Sequence, residues 1–214
     1  VVAVKSAAVA WIDAMMLLGQ YHHLPPLPFT PGMEYAGVIE WTGAGIDPSV
    51  IRVGDLMMND YMQAGPRSSG PYAANGGWAS YAIAPASALL PVPPGMDCDE
   101  ACNFLLNYET SHYGLITRAR LQPGETVLIN GASGAVGVYA IQLARLAGAH
   151  VTAICSAANA EFVRGLGADE VIAYDREDFT RGGETYDVIM DNHGNAPYAR
   201  VKHMLKPGGR FLMV

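Results

Sequence analysis

The chain has 214 residues, half of them hydrophobic and 15% charged, the balance of an ordinary globular protein with one large or two modest cores. Its net charge of −7 argues against a nucleic-acid or anionic-membrane partner, yet leaves room for an anionic cofactor in a locally positive pocket. Cys98, Cys102 and Cys155 are too few for a disulfide framework, Arg145 interrupts the most hydrophobic stretch before it reaches membrane-spanning length, and no secretory signal is seen, so a reducing, cytoplasmic setting is expected.

The opening Val-Val-Ala-Val-Lys alternates like a strand already in progress. Tyr35–Glu40, Val53–Met58 and Trp78–Ala84 read as further short strands, and prolines crowd Pro91–Pro94. Frequent turn signals between short apolar runs predict an irregular β-rich domain over residues 1–97. Tyr61–Gly77 is a polar loop containing Gly and Pro, long enough to suggest that it covers a site.

After Asp97 the pattern changes. Asp99–Arg120 lacks proline and keeps helical spacing, and Gln122-Pro-Gly124 then makes a turn. Strands are predicted at Thr126–Asn130, His150–Cys155, Glu170–Tyr174, Tyr186–Asp191 and Gly209–Val214. Between them fall helices at Gly134–Ala147, Ala158–Leu166 and Pro197–Leu205. This alternation predicts an α/β domain over residues 98–214 with a parallel, doubly wound sheet.

Val127-Leu-Ile-Asn-Gly-Ala-Ser-Gly-Ala-Val-Gly137 runs from a buried strand into a glycine-rich turn, and Val136, Ala140, Leu143, Ala144 and Ala147 form the inward face of the helix that follows. Gly134 lets the backbone approach a pyrophosphate, Gly137 lets helix and strand pack closely, and the free amides of the helix's first turn face the anion. A glycine motif alone is weak evidence, and Ala132 replaces the first glycine of the strict pattern. The strand before it, the helix after it and the second strand at the right distance make it a dinucleotide site. The competing reading is a tight strand–helix turn in an α/β protein that binds no nucleotide. At the tip of the second strand, about 20 residues on, an NAD site usually has a carboxylate. Here stand Cys155-Ser-Ala157, so a 2′-phosphate meets no repulsion there and Ser156 can donate to it, which favours NADPH. Ser156 is equally suited to cap the next helix.

These blocks resemble the medium-chain dehydrogenase/reductase superfamily in its zinc-independent quinone oxidoreductase branch. The resemblance is carried by Pro31-Gly-Met-Glu-Tyr-Ala-Gly-Val-Ile39, Val53-Gly-Asp55, Asn107-Tyr-Glu-Thr110, Leu121–Leu128, Gly131–Gly137, Leu166-Gly-Ala-Asp169 and Lys206-Pro-Gly-Gly-Arg210. It implies a GroES-like substrate domain before a Rossmann-type nucleotide domain, with a cleft between them. It also implies strands before Val1 and beyond Val214, so both domains are expected to be incomplete in this chain. Zinc-dependent relatives have a His where this chain has Met33, and they carry a four-cysteine lobe that three dispersed cysteines cannot supply. His22 and His23 are adjacent and are read as surface loop residues, so no metal is expected.

Carried over position by position, the resemblance assigns Ser133, Gly134, Ala135, Val136 and Gly137 to the pyrophosphate turn. It sets Ser156 and Asn159 near a 2′-phosphate and Tyr174 beside the adenine. Asn107 and Thr110 line the nicotinamide and substrate. For the reaction itself, Tyr21 is expected near the substrate carbonyl with them, and Tyr61 and Tyr72 on the long loop could add an O–H donor. Two positions depart from the pattern: Asn159 stands where a lysine is common, and Ala10 where an asparagine is expected. The implied activity is zinc-free hydride transfer from NADPH to a small-molecule quinone or α,β-unsaturated carbonyl, electrophiles that delocalise charge without a Lewis-acid metal. The alternatives are a nucleotide-binding protein with little catalysis and an enoyl reductase acting in trans on carrier-bound acyl chains. A homodimer is possible, but no residue present argues for it.

Overall fold

Alternating apolar residues build the first sheet. β1 (Val2–Ala7) pairs antiparallel with β2 (Tyr35–Ile39), and β3 (Leu56–Asn59), β4 (Tyr81–Ala82) and β5 (Leu89–Pro91) complete the order β4-β1-β2-β3-β5. The period of two is visible in which cluster each residue joins. Tyr35, Ile39 and Met57 face a core with Val2, Ile51, Ala82 and Leu89, while Ala36 and Met58 turn the other way to meet Ala8, Ala101 and Cys102. Pro91 is tolerated in β5 because that strand lies at the sheet edge. The structure, a computed structural model, describes residues 1–214, which divide into two units, Val1–Leu106 and Asn107–Val214.

The division falls nine residues beyond the expected boundary at Asp97. Helix α2 (Cys98–Ala101) starts with an Asp97–Glu100 capping box, and its Ala101, with the adjoining Cys102, is buried in the first unit's core. The continuous helix expected over Asp99–Arg120 is instead broken. After α2 comes α3 (Leu105–His112), and Tyr113–Arg118 continues in wider turns in which each amide reaches five residues back. Gly114 lies in these turns, where an added Cβ would stand 3.3 Å from the end of the Met190 side chain. A further helix, α1 (Trp11–Leu17), has no counterpart among the expected elements. The Tyr61–Gly77 loop has no helix or strand, and Ala64, Ser68 and Ala73 tuck it into its own unit.

The second unit is an all-parallel sheet of order β10-β9-β6-β7-β8, from β6 (Thr126–Asn130), β7 (His150–Cys155), β8 (Glu170–Ala173), β9 (Tyr186–Asp191) and β10 (Leu205–Met213). Both faces are covered, which is why its strands read as unbroken apolar runs. Val127, Ile129, Val151, Ala153 and Met190 pack under α4 (Ala135–Leu146), while Leu128, Ile154 and Ile189 pack against Val201 and Met204 on the other side. The buried face of α4 is Gly137, Ala140, Ile141, Leu143 and Ala144, so Ile141 joins the predicted set while Val136 and Ala147 sit at its margin. Three of the five predicted strands match to the residue. The last is longer than expected: Leu205 pairs with Tyr186 before a register shift at Pro207-Gly-Gly209 carries the strand on to Arg210 opposite Val188. This shortens the predicted helix before it to α6 (Tyr198–Val201) and a 3-10 turn, Lys202–Met204. No helix is long and apolar enough to cross a membrane.

Candidate functional site

β6 is flanked by β7 on one side and β9 on the other, so its C-terminal end lies where the direction of winding reverses. In open parallel sheets the crevice at that point is where ligands bind. The chain leaves β6 through Gly131, whose φ of +72° is left-handed, and Ala132 donates its amide to the Ile154 carbonyl at 3.0 Å, tying the turn to β7. α4 then begins behind Gly134, with no side chain capping its first turn. Gly137 is buried against the turn: a Cβ there would clash with the carbonyl oxygens of Gly131 and, at 2.6 Å, of Ala132. Gly134 and Ala135 are exposed, while Val136 is half-buried. The motif's two later glycines therefore do separate things, one permitting close packing and the other leaving the helix start open.

The same end of β9 carries a buried polar knot. Asp191 is 1% exposed, and its Oδ1 accepts from the Asn130 amide at 2.8 Å and from the backbone of His193 and Gly194 at 3.0 Å each. Its Oδ2 accepts from Ala196 N–H at 3.0 Å. This fixes the loop after β9 beside Gly131, so that the Asn192 Cβ would stand 3.5 Å from a Cβ on that glycine. The Asn192 side-chain oxygen and nitrogen are both buried without a hydrogen-bond partner. Uncapped amides at α4, an open Gly134 and an unsatisfied carboxamide beside the turn fit the diphosphate and polar groups of a dinucleotide. Sequence reasoning does not single out Asp191 and Asn192. The only available signal is a carboxylate ending an apolar strand.

Next to the turn, a 3-10 turn (Ala157–Asn159) leads from β7 into α5 (Ala160–Gly165). Asn159 donates its side-chain amide to the Ser133 hydroxyl at 3.1 Å. Ser156 begins the 3-10 turn but makes no side-chain capping bond, so its hydroxyl is not spent on the role that competed with ligand binding. Tyr174 donates its backbone N–H to the Cys155 carbonyl at 3.0 Å and leaves its ring 60% exposed. The next residue, Asp175, reaches across the tip of β7, and its Oδ1 accepts the Ala157 N–H at 2.9 Å. The strand tip that holds no carboxylate of its own is thus supplied with one by the neighbouring strand.

Asn107 is 6% exposed on α3, and the Ser111 hydroxyl donates to its carbonyl and lies within 2.8 Å of the Val136 carbonyl, the shared proton fixing α3 against the start of α4. Thr110 sits half-buried on the same helix. Tyr21 belongs to the first unit, its ring 4.2 Å from that of His22 and 5.9 Å beneath the Arg67 guanidinium. His22 is exposed, but His23 is half-buried and meets the Ser68 carbonyl at 3.2 Å, so only the first is a bare surface residue. Tyr61 is buried and Tyr72 half-buried. In the first unit, Asp13 accepts the amides of Ala10 and Met33 at 3.0 Å each, joining the start of α1 to the Pro31–Ile39 block. Burial raises its carboxyl above the usual range, against those hydrogen bonds. No three His, Cys, Asp or Glu side chains come together as a metal site needs, and burial raises the thiols of Cys98, Cys102 and Cys155, opposite to a ligand thiolate.

Comparison with known proteins follows the two units. The family described as the alcohol dehydrogenase GroES-like domain matches residues 1–94, and that described as zinc-binding dehydrogenase matches residues 135–214. The synaptic vesicle membrane protein VAT-1 homolog of Mus musculus is 32% identical over 213 residues, covering 97% of this chain. This chain spans only 49% of that relative's length. Among solved structures, a probable oxidoreductase from Mycobacterium abscessus superposes with a TM-score of 0.81 at 34% identity, covering 99% of this chain and 64% of its own. The quinone oxidoreductase of Thermus thermophilus, solved also with NADPH, gives 0.77 at 29% identity, covering 98% of this chain and 63% of its own. With a GroES-like sheet followed by a parallel, doubly wound sheet, the chain belongs to the medium-chain dehydrogenase/reductase superfamily, and quinone oxidoreductases are among its relatives.

Proposed function

We propose that the full-length protein is an NADPH-dependent, zinc-free oxidoreductase acting on a quinone or an α,β-unsaturated carbonyl. The observation that carries this reading is the uncapped start of α4 behind Gly134, flanked by the Asn159–Ser133 hydrogen bond. When bound, the reduced nicotinamide supplies the hydride. The amides of Ala135, Val136 and Gly137 receive the diphosphate, with the helix dipole behind them. Ser133, Ser156 and Asn159 offer neutral donors to the 2′-phosphate, and the exposed Tyr174 ring flanks the adenine. Asn107 and Thr110 are assigned to the substrate carbonyl, where a donor stabilises the developing oxyanion. The solved NADPH complex of a relative 29% identical supports the cofactor.

Fluorescence titration with NADPH and NADH, then stopped-flow oxidation of NADPH against a panel of quinones and enals, tests the proposal. Tighter binding of NADPH and turnover with at least one acceptor are expected. Turnover that survives Asn107→Ala with Thr110→Ala at saturating NADPH would remove those two residues from the site. Ala10, apolar where an asparagine is expected, and Asn159, neutral where a lysine is expected, favour a second reading as a nucleotide-binding protein with little catalysis. Binding without turnover across the panel would select it.

A further inference from the structure

At the tip of β7 the chain has placed a negative charge where a 2′-phosphate would approach. β8 runs parallel to β7 with Ala173 opposite Cys155, and the Tyr174 amide extends that pairing by one more bond to the Cys155 carbonyl. Asp175 then emerges directly over Ser156-Ala157, and its Oδ1 is held by the Ala157 N–H at 2.9 Å. This is a fixed carboxylate, since the amide anchors one oxygen and leaves Oδ2 on an exposed residue, free to accept from a ribose hydroxyl. Arg164, which acts on Cys155 from the same neighbourhood as Asp175, is itself paired with Glu161 at 2.6 Å. The other donors around the tip, Ser133, Ser156 and Asn159, are all neutral.

We propose that Asp175 is the residue that sets dinucleotide choice in this protein, serving as the ribose-hydroxyl acceptor and opposing the 2′-phosphate, so that NADH is bound as well as NADPH. The inference rests on the reading of the Gly131–Gly137 turn as a dinucleotide site. A carboxylate at this tip normally belongs to the second strand itself and is read as selecting NAD. Here the second strand ends in Cys155-Ser156 and the charge arrives from the next one, so both features coexist. The neutral donors favour the extra phosphate, and Asp175 narrows their advantage by like-charge repulsion across a solvent-exposed gap.

The test uses the full-length protein with Asp175→Asn, which keeps an oxygen for the Ala157 N–H and removes only the charge. Dissociation constants for NADPH and NADH are measured at low and high salt. The expected result is NADPH binding tightened about tenfold, NADH unchanged or slightly weakened, and a shift that shrinks as salt rises. An NADPH-to-NADH ratio in Asp175→Asn equal to that of the wild type would overturn the proposal while leaving the dinucleotide site standing. So would a ratio change that ignores salt, because it would mark Asp175 as a purely structural cap. If the wild type binds neither dinucleotide, the underlying reading fails and the proposal with it.

Discussion

Asn159 and Ser133 are hydrogen-bonded across 3.1 Å, joining the turn after β6 to the first residues after β7. In the proposed dinucleotide site, the pair would couple the diphosphate side to the ribose side. A lysine at Asn159 would place a cation where only a neutral amide now stands, and charge-assisted bonds to phosphate are roughly twice as strong as neutral ones. Asn159→Lys is expected to tighten NADPH about threefold to tenfold, with NADH little changed. Parallel titrations of both dinucleotides check it, and equal gains for the two would place residue 159 away from the 2′-phosphate.

The two glycines at the start of α4 predict opposite phenotypes. A methyl group on Gly137 meets backbone oxygens that cannot swing aside, so Gly137→Ala is expected to cost about 2–3 kcal/mol of stability. Gly134 has an ordinary φ of −80°, and its nearest neighbour would be the Gly131 oxygen at 3.3 Å. Gly134→Ala should leave the melting temperature within a few degrees of wild type yet weaken dinucleotide binding about tenfold or more. Denaturation curves and titrations on the same samples separate the two, and equal destabilisation by both would refute the division of labour.

The turn holding these glycines was legible because it joins an apolar strand to a helix, with a second strand at the expected distance. β6, β7 and β9 were legible because burial on both faces gives each a largely apolar middle, with polar residues such as Thr126, Asn130, His150 and Asp191 marking the ends. Other parts left weaker traces. α1 buries only Asp13 and Met16 and exposes Trp11 and Leu17, so it shows no apolar stripe to find. The break in the Asp99–Arg120 helix falls at Cys102–Phe104, where no proline or glycine marks it in the sequence. Asp175 meets an amide 18 residues earlier in the chain, and only the pairing of β8 with β7 brings the two together.

Asp191 holds four donors on a fully buried carboxylate, three of them backbone amides of the loop that carries Asn192. Asp191→Ala leaves those donors without acceptors in a dry site, an effect on the order of 3–4 kcal/mol. Asp191→Asn restores the shape but turns a donor toward other donors, so it should recover only part of the loss. Urea denaturation gives both numbers. A loss below about 1 kcal/mol in Asp191→Ala would show that water replaces the carboxylate, and the loop would not depend on it.

At the opposite end of the same sheet, Asp187 predicts a pH dependence. Desolvation is the largest single influence on this carboxyl and would raise it. The opposing hydrogen bonds from Lys206 at 2.7 Å and from the Thr126 amide and hydroxyl outweigh it together and bring it down to about 2. An acid whose folded value lies below its unfolded one, ordinarily 3.8, binds protons more weakly when folded. Its contribution is therefore complete above the unfolded value and is lost as pH falls through about 2. Near neutrality Asp187→Asn is expected to destabilise the nucleotide unit by about 1–2 kcal/mol, allowing for solvent screening of the Lys206 pair. Comparing the variant with wild type isolates this group from every other acid. The gap between their stabilities should hold steady down to about pH 4 and close as pH approaches 2. A gap that stays constant across that window would mean that Asp187 contributes through its shape and hydrogen bonds alone, with no part played by its ionisation.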